Sequence, residues 1–321
     1  MIPDIPPLSL GTAALGNLYT EVTDEEAHET VGAGLRRGLT YIDTAPHYGL
    51  GLAERRIGQV LRELPRDSFV LSTKVGRLVR PSAPGEHVDP EGYATGSSYK
   101  RVWDFSSDGV RRSLEESLTR LGLDHVDIAY LHDPDDHERA AFEMGYPVLA
   151  ELRDEGVVRA IGVGMNQATM LTRFVRETDI DAVLCAGRYT LLDHTALDTL
   201  LPACAERGVA AMLCGVYNSG LLADPRPGAP YDYAAAPAGI TERAQRLAAV
   251  CERYGVPLRA AAMQFPAAHP AVATVVTGPR SAAELHDNVA MAGWHVPGAL
   301  WQELRAEGLL PADAPVPGEA G

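Results

Sequence analysis

The sequence predicts an α/β protein that folds as a single-domain (β/α)8 TIM barrel. Short, β-rich apolar runs alternate with segments of helical periodicity from residue 8 to about residue 291, and eight such runs occur in that span. Most of these runs are apolar at nearly every position, which is typical of parallel strands covered by helices on both faces. Eight parallel strands with crossover helices close into a barrel.

The candidate strands follow one another in this order: Leu8 to Gly11, Leu39 to Asp43, Phe69 to Lys74, Val126 to His132, Val157 to Val163, Ala182 to Cys185, Val209 to Cys214 and Thr274 to Gly278. A doubly wound open sheet is the structural alternative, and it is expected to carry a GxGxxG turn after its first strand. The chain has LGTAALG at that place, while Gly49 and Gly51 follow a different strand and lack a third glycine. The pattern therefore favours the closed barrel.

The segments between the strands carry the start and stop signals of helices. Thr23 and Glu26 form a predicted capping box, and Gly38 lies just past the end of the same helix. Ser281 and Glu284 repeat the capping pattern near the last strand. By the same criteria Gly122 ends another helix, and Asp193 caps a single helix that ends at Gly208.

Two connections are longer than the usual few residues, at about 77–105 and about 215–240. Both follow strand C-termini, which in a barrel form the active-site face, so we expect these loops to wall a pocket. Their aromatic rings either stack on a sugar or cofactor or merely pack the loops. These rings are Tyr93, Tyr99, Trp103 and Phe105 in the first loop, and Tyr217, Tyr231 and Tyr233 in the second.

One domain is expected to span residues 1–321, with its barrel core at about 8–291. The segment 292–321 reads as one more helix, from Ala299 to Glu307, followed by a tail rich in proline, alanine and glycine. Terminal segments of this composition are often poorly ordered, and we expect the tail to be mobile.

Composition and charge exclude several classes of protein. The chain is 46% hydrophobic and 22% charged, as expected for a globular core. Its net charge of −15 opposes binding to a nucleic-acid backbone. The first residues lack the basic and apolar regions of a secretory signal, and no run approaches the ~18 apolar residues of a membrane span. We therefore expect a cytoplasmic protein without membrane or nucleic-acid partners, and we read its four scattered cysteines as reduced thiols.

Lysine usage singles out one strand end. Only two of the 28 basic residues are lysine, Lys74 and Lys100, so the chain uses arginine by default. Lys74 stands at the C-terminal end of a predicted buried strand, in FVLSTKVG. A compact ammonium differs from guanidinium in geometry and pKa, which indicates a specific role. The ordinary alternative is a strand-end cation in solvent, and Lys100 shows that not every lysine here needs a function.

Three other polar residues lie at the same predicted face: Asp43, Tyr48 and His132. Each has an ordinary explanation, as a helix cap, a half-buried loop aromatic and a core histidine. Together with Lys74 they suit proton transfer at a carbonyl carbon. The ammonium lowers the pKa of the phenol, the carboxylate keeps Lys74 charged, and the imidazole donates a hydrogen bond to the substrate oxygen. Such a site has no reductant of its own, so it implies a hydride carrier.

The motifs YIDTAPHYG, LSTKVG and DIAYLHD, in this order, resemble the signature of the aldo-keto reductase family. The resemblance implies a (β/α)8 barrel, a nicotinamide dinucleotide bound without a Rossmann motif, and Tyr48 as general acid/base supported by Asp43, Lys74 and His132. The stretches IGVGMNQ, AGRYTLLDH and YNSGLL are most similar to the aldose 1-dehydrogenase branch, with its L-fucose, D-threo-aldose and L-galactose dehydrogenases and neighbouring pyridoxal dehydrogenases. This similarity implies oxidation of the anomeric hydroxyl of an aldose, such as L-fucose, D-arabinose or L-galactose, to a lactone.

The same resemblance implies a set of cofactor-binding residues, although IGVGMN is one residue longer than the usual family motif and Ala186 replaces a common glutamine. Tyr217 is a candidate for stacking on the nicotinamide. Glu284 opposes the 2′-phosphate of NADP and favours NAD, whereas Arg280 argues for NADP, so NAD is only slightly favoured. The implied residues are Asn166, Gly278, Arg280, Ser281, Glu284 and Asn288.

Three competing functions remain at this point. An NADPH-dependent reductase of aldehydes or ketones shares every catalytic residue. A non-catalytic nicotinamide-binding sensor subunit would not require both Tyr48 and His132. A metal-dependent hydrolase would need a ligand cluster, and no HxH follows the first strand, so we predict no metal. The residues that suggest a metal site are His132, Asp133, Asp135, Asp136 and His137. The sequence specifies neither the sugar nor the oligomeric state.

Overall fold

The structure is a computed structural model that describes residues 2–82, 89, 91–96, 98–232 and 234–319. The strands are β1 (Leu8–Gly11), β2 (Tyr41–Asp43), β3 (Val70–Val75), β4 (Arg77–Pro81), β5 (Tyr99–Trp103), β6 (Ile128–His132), β7 (Ala160–Met165), β8 (Ala182–Ala186), β9 (Ala210–Cys214), β10 (Pro230–Tyr231), β11 (Ala234–Ala235) and β12 (Val272–Thr277). The helices are α1 (Asp24–Arg36), α2 (Leu52–Leu61), α3 (Ser107–Leu121), α4 (Glu138–Ala140), α5 (Tyr146–Asp154), α6 (Ala168–Glu177), α7 (Thr195–Asp198), α8 (Leu200–Arg207), α9 (Ala238–Arg253), α10 (Leu258–Gln264), α11 (Ala282–Ala292) and α12 (Gly298–Ala306).

Eight parallel strands close into a barrel in the order β1-β12-β9-β8-β7-β6-β3-β2, which confirms the predicted fold class. Each of the eight predicted strand regions supplies one barrel strand. The boundaries differ by a few residues. The fifth region was expected from Val157, but β7 starts at Ala160 because Gly156 has a φ of +75° and the Val157 N–H bonds to Leu152 O, which completes the end of α5.

The alternation of side chains along each strand divides the apolar residues into two layers. On β6, Ile128 and Tyr130 point into the barrel, whereas Ala129 and Leu131 pack against the helices. The interior also contains Tyr41, whose hydroxyl lies 3.3 Å from that of Tyr130. This arrangement explains why the strands read as continuous apolar runs, since both of their faces are buried.

The predicted helix signals are largely confirmed. Thr23 and Glu26 form the capping box of α1, and Gly122 ends α3 in the left-handed conformation. The box expected at α11 forms only in part. Ser281 Oγ accepts from Glu284 N at 3.3 Å, but the Glu284 carboxylate accepts from Arg280 N at 2.9 Å instead of from Ser281 N.

The single helix expected between Asp193 and Gly208 is wrong, because the structure has two helices, α7 and α8, with a break at Thr199. Pro202 lies four residues after Asp198. Proline has no N–H to donate to the Asp198 carbonyl, and its ring clashes with that carbonyl in a continuous helix. Asp193 still acts locally, since its Oδ1 accepts from Thr195 N at 2.9 Å.

Both long connections contain strand pairs that the sequence analysis did not predict. In the first, β4 and β5 form an antiparallel hairpin in which Arg77 faces Trp103. In the second, β10 and β11 form a two-residue ladder. The aromatic rings of the first loop differ in exposure: Tyr93 and Phe105 are buried, whereas Tyr99 and Trp103 are exposed. Tyr233 lies outside the described residues.

The expectation of a mobile tail is wrong as far as residue 319. The chain after α12 buries apolar side chains against the body of the protein, and Arg305 holds it with a 2.6 Å hydrogen bond to Ala314 O and a 2.7 Å ion pair to Glu319. The apolar residues spaced among the prolines explain this order, because they supply enough buried surface to hold the segment. They are Leu309, Leu310, Ala314 and Val316.

No helix in the described part of the chain is both long and apolar enough to cross a membrane. The four cysteines form no disulfide; three of them are buried and Cys214 is half-buried. Among the described residues, no group of three or more histidine, cysteine or acidic side chains is placed to hold a metal ion.

Candidate active site

The barrel topology brings four of the predicted residues to one place. Asp43 ends β2, Lys74 lies one residue before the end of β3, and His132 ends β6. These three strands are consecutive neighbours in the barrel, and Tyr48 follows β2 in the next loop. We call these four residues the Tyr48 cluster.

The ammonium of Lys74 is the centre of the Tyr48 cluster. It donates to Asp43 Oδ2 at 2.6 Å, to the Tyr48 hydroxyl at 2.9 Å and to Thr44 O at 3.1 Å. An ammonium has three N–H groups, so all of them are used. Asp43 accepts a second bond from Ser72 Oγ at 2.8 Å. Lys74 and Asp43 are 1% and 3% exposed, and their complete pairing allows both charges to remain buried.

Backbone packing fixes the loop that carries Tyr48. Gly49 has a φ of +60°, which favours glycine, and its Cα faces the backbone of Gly16. A Cβ on Gly16 would lie 2.7 Å from the Tyr48 carbonyl carbon, so no side chain fits between the two segments. The PHYG motif therefore sets the position of the phenol above the barrel, within reach of Lys74.

His132 lies beside the phenol. Its ring meets that of Tyr48 edge-on at a centroid distance of 6.0 Å, and its Nδ1 is buried without a hydrogen-bond partner among the described residues. Desolvation by burial, together with Arg77 and Lys74, holds the pKa of His132 well below its ordinary value. The imidazole is therefore neutral near pH 7, with one nitrogen available as a donor.

A second polar group, which the sequence analysis missed, borders the first. Arg77 Nη1 lies 2.8 Å from His47 Nδ1, and Arg77 Nη2 donates to Asp133 Oδ2. His47 precedes Tyr48 in the chain and Asp133 follows His132. We call His47, Arg77 and Asp133 the Arg77 cluster. Sequence reasoning gave Arg77 no role and considered Asp133 only for a metal, although its position next to His132 was a usable signal.

The β4–β5 hairpin and its loop cover this side of the mouth. Tyr93 stacks on Tyr48 with centroids 6.5 Å apart and meets His47 edge-on at 5.3 Å. The Arg77 guanidinium lies 4.0 Å from the centre of the Trp103 ring. Arg101 donates to His47 O at 2.8 Å. These contacts make the hairpin part of the wall around the phenol.

Two of the residues implied for cofactor binding follow strands at this same end of the barrel. Gly278 directly follows β12, and Asn166 directly follows β7. Ser281 caps α11, whose buried residue Asn288 accepts a 3.2 Å hydrogen bond from the Tyr217 hydroxyl. The loop after β9 and the β12–α11 segment are thus joined by a side-chain contact.

Asn218, which follows Tyr217, is a further candidate that the sequence analysis did not single out. Its Oδ1 is buried without a hydrogen-bond partner in the described part of the chain. Asn218 and Ser219 have φ values of +47° and +58°, so the chain turns sharply here, and the N–H groups of Asn218 and Gly220 donate to Gly215 O and Tyr217 O within the loop. The unpaired amide oxygen and the N-terminus of α11 suit a ligand with amide and phosphate groups.

The match to a family model agrees with this geometry, since residues 7–298 match the model described as Aldo/keto reductase family. The chain belongs to the aldo/keto reductase family. It is therefore an NAD(P)-dependent oxidoreductase, and the family predicted from the three motifs is confirmed.

Three relatives with named activities cover most of this chain. D-threo-aldose 1-dehydrogenase of a Pseudomonas species is 44% identical over 96% of this chain and 95% of its own. Pyridoxal 4-dehydrogenase of Microbacterium luteolum is 40% identical over 95% of both chains. L-galactose dehydrogenase of Arabidopsis thaliana is 30% identical over 89% of this chain and 84% of its own.

Among solved structures, aldo-keto reductase AKR11C1 from Bacillus halodurans in its holo form aligns with a TM-score of 0.75 at 24% identity, covering 97% of this chain and 94% of that one. Glycerol dehydrogenase AKR11B4 from Gluconobacter oxydans aligns with a TM-score of 0.73 at 21% identity, covering 100% and 98%. These two likenesses bear on the fold.

Proposed function

We propose that this enzyme oxidises the anomeric C1 hydroxyl of a cyclic aldose to a lactone, with Tyr48 as the general base. The observation that carries the proposal is the 2.9 Å contact to the Tyr48 hydroxyl from Lys74 Nζ, a buried ammonium whose three N–H groups are all paired. The relative at 44% identity, named D-threo-aldose 1-dehydrogenase, supports the sugar class. L-Fucose, D-arabinose and L-galactose are the aldoses we expect first.

Proton removal from the sugar follows from the Tyr48 cluster. The Lys74 ammonium stabilises a phenolate at Tyr48, because an adjacent positive charge favours the ionised form. The phenolate takes the proton of the C1 hydroxyl while the C1–O bond gains double-bond character. Asp43 touches no substrate in this scheme; it keeps the buried Lys74 charged.

His132 orients the reacting oxygen. A neutral imidazole donates a hydrogen bond without adding a second positive charge near Lys74, and this bond places the C1 oxygen next to the phenol. The low pKa of His132 keeps this donor in the same protonation state across the neutral range. The chemistry that an oxidised nicotinamide would supply when bound is that of an acceptor for the hydride from C1.

We propose that the dinucleotide is held by residues that follow β7, β9 and β12, at the same end of the barrel as the Tyr48 cluster. Asn166, Tyr217 and Asn218 suit the nicotinamide half and the pyrophosphate. The adenosine end is bound by residues that follow β12 or lie on α11, namely Gly278, Arg280, Ser281, Glu284 and Asn288.

Cofactor preference depends on one surface ion pair. Arg280 Nε lies 3.4 Å from Glu284 Oε1, so the guanidinium is partly neutralised by a carboxylate that would also repel a 2′-phosphate. A carboxylate accepts a hydrogen bond from a ribose 2′-hydroxyl instead. We propose that NAD is preferred over NADP.

Pyridoxal is a second candidate substrate, favoured by the 40% identity to pyridoxal 4-dehydrogenase. Its aldehyde lies next to a hydroxymethyl group, so the ring-closed form carries a hemiacetal hydroxyl like that of an aldose. The same base would act on either substrate. An NADPH-dependent aldehyde or ketone reductase remains the alternative for the reverse direction.

Initial rates of NADH and NADPH formation at mildly alkaline pH test the proposal, with L-fucose, D-arabinose, L-galactose and pyridoxal as substrates. We expect sugar-dependent NADH formation that is lost in Tyr48→Phe. Tyr254→Phe is the matched control, because the Tyr254 hydroxyl bonds to Glu303 on the outer helices. NADPH consumption with simple aldehydes, and no turnover of any sugar, would move the function to the general reductase.

A further inference from the structure

We propose that Asp133 determines the specificity of this enzyme for polyhydroxylated substrates: its carboxylate accepts hydrogen bonds from sugar hydroxyls beyond C1, in an orientation that Arg77 fixes. This inference rests on the proposed sugar oxidation and adds a residue that the Tyr48 cluster does not include. The carboxylate would make the enzyme prefer a sugar over a simple aldehyde of similar reactivity.

The backbone places Asp133 at the mouth. It directly follows His132, and its N–H donates to Gly164 O at 2.9 Å, which continues the pairing of β6 with β7. Its φ of +37° lies in the left-handed region, where a side chain costs conformational energy but aspartate and asparagine are best tolerated. A position that keeps this conformation next to the reacting groups is a candidate for function.

The side chain of Asp133 is accessible while its neighbours are not. It is 31% exposed, whereas the side chains of Arg77 and His132 are 7% and 6% exposed. Both neighbours approach the same oxygen: Arg77 Nη2 donates to Oδ2, and His132 Nε2 lies 3.5 Å from it. Oδ1 accepts no hydrogen bond from any residue that the structure describes. One carboxylate oxygen therefore keeps its acceptor capacity for a ligand.

The orientation of the carboxylate is fixed by contacts outside it. Arg77 also meets His47 Nδ1 at 2.8 Å and stacks on Trp103 at 4.0 Å, so the guanidinium is held from three sides. An acceptor fixed before the ligand arrives loses little entropy when it binds. Sugar hydroxyls are donors that such a carboxylate recognises, while an aldehyde without hydroxyls offers no donor.

The test compares Asp133→Asn with the wild-type enzyme on a sugar, on deoxy analogues of that sugar and on a simple aldehyde run in reverse with NADH. Asparagine tolerates the left-handed backbone, keeps the shape and removes the charge. We expect kcat/KM for the sugar to fall about 10- to 100-fold, as for a lost charged hydrogen bond, while kcat/KM for the aldehyde changes less than about threefold. The preference for the full sugar over one of its deoxy analogues should shrink by a similar factor.

Asp179→Asn is the matched control, because Asp179 also pairs with an arginine, Arg153, but lies before β8 at the opposite end of the barrel. Thermal melting and NADH binding by fluorescence show whether each variant is folded. If Asp133→Asn does not fold, Arg77→Lys replaces it, and the sugar-specific loss is again expected because lysine cannot hold the carboxylate and His47 together.

The outcomes separate the two proposals. Failure of the wild-type enzyme to oxidise any sugar overturns the proposed function itself. Sugar oxidation by wild type with unchanged kcat/KM in Asp133→Asn overturns only the role of Asp133. An equal loss on the sugar, the deoxy analogues and the aldehyde also overturns it, because the carboxylate would then serve only to balance Arg77.

Discussion

The two halves of the barrel mouth are built differently. On the side of β2, β3 and β6, Lys74 and Asp43 are almost fully buried, and every donor of the ammonium is paired inside the protein. On the side of β9 and β12, Asn218 keeps an unpaired buried oxygen, and the Arg280–Glu284 pair is about half exposed. The Lys74–Asp43 pair that anchors the first half is complete without a ligand, even though His132 Nδ1 beside it has no partner among the described residues, whereas the second half is completed by a ligand. This difference suits an enzyme that holds its base fixed while a cofactor enters and leaves.

The largest effect is expected from Lys74→Met, on the complete half. Activity should fall about 10²- to 10⁴-fold because the phenolate loses its ammonium. The free energy of unfolding should also fall by about 3–5 kcal/mol, since Asp43 is left charged and buried without its partner. Steady-state kinetics and denaturant unfolding measure the two losses.

The double variant Asp43→Asn with Lys74→Met sharpens the same result. With both charges removed, much of the stability should return while activity stays low. Recovery of activity in the double variant would contradict the role of the ammonium at Tyr48.

Asn218→Gly tests the incomplete half. Glycine keeps the φ of +47° and removes the amide, so the free energy of unfolding should change by less than about 1 kcal/mol. The Kd for NAD should rise about tenfold, as expected for the loss of one or two hydrogen bonds in a ligand site. Titration of protein fluorescence with NADH gives the Kd. A large loss of stability with an unchanged Kd would show that Asn218 stabilises the fold and does not bind the cofactor.

Part of the pH dependence of stability should come from the side of the Tyr48 cluster; burial also lowers the pKa of His194 to about 4, which adds to it, and raises the pKa of Asp133 to about 6, which acts in the opposite sense. Burial lowers the pKa values of His47 and His132 well below 6.5, so between that value and the folded-state pKa only the unfolded chain binds a proton. Stability is then complete above pH ~6.5 and falls by up to about 1.4 kcal/mol per group for each pH unit below it. Thermal unfolding from pH 5 to pH 8 measures this slope. His132→Gln should flatten it, and an unaltered slope in that variant would exclude His132 as a source.

The smallest effect is expected from Glu284→Gln at the exposed pair. Removing the carboxylate frees Arg280 for a 2′-phosphate, but solvent screens both groups. The ratio of kcat/KM for NAD to that for NADP should shift a few-fold toward NADP. Rates with the two cofactors at one fixed sugar concentration give the ratio, and no shift would remove the argument for NAD.

The sequence was enough to predict the barrel, because strands that are buried on both faces are recognisable as continuous apolar runs. The residues of the Tyr48 cluster were also predictable as a group, since Asp43, Lys74 and His132 stand at strand ends and strand ends meet in a barrel. Local chemistry was less predictable. Predicting the helix break at Thr199 requires noticing that Pro202 has no N–H to donate. Predicting the ordered tail requires knowing which residues Leu309 and Val316 pack against.

The Arg77 cluster shows what a one-dimensional pattern does not contain. Arg77, His47 and Asp133 are far apart in sequence, and each alone is an unremarkable polar residue beside a motif. Only the hairpin of β4 and β5, whose five-residue strands carry several charges, brings the guanidinium between the other two. Antiparallel strands that short, and rich in arginine, give little periodic signal.

The hydroxyl groups inside the barrel have a consequence for Asp43. Ser72 donates to the Asp43 carboxylate, so its own oxygen must accept from Tyr41 at 2.9 Å, and the Tyr41 oxygen can then accept from Tyr130 at 3.3 Å. All three O–H dipoles of this chain then point the same way, toward the carboxylate. The aligned hydroxyl dipoles inside the barrel thus stabilise the negative charge of Asp43. The carboxylate that pairs with Lys74 is therefore also stabilised by the hydroxyl groups of the barrel interior.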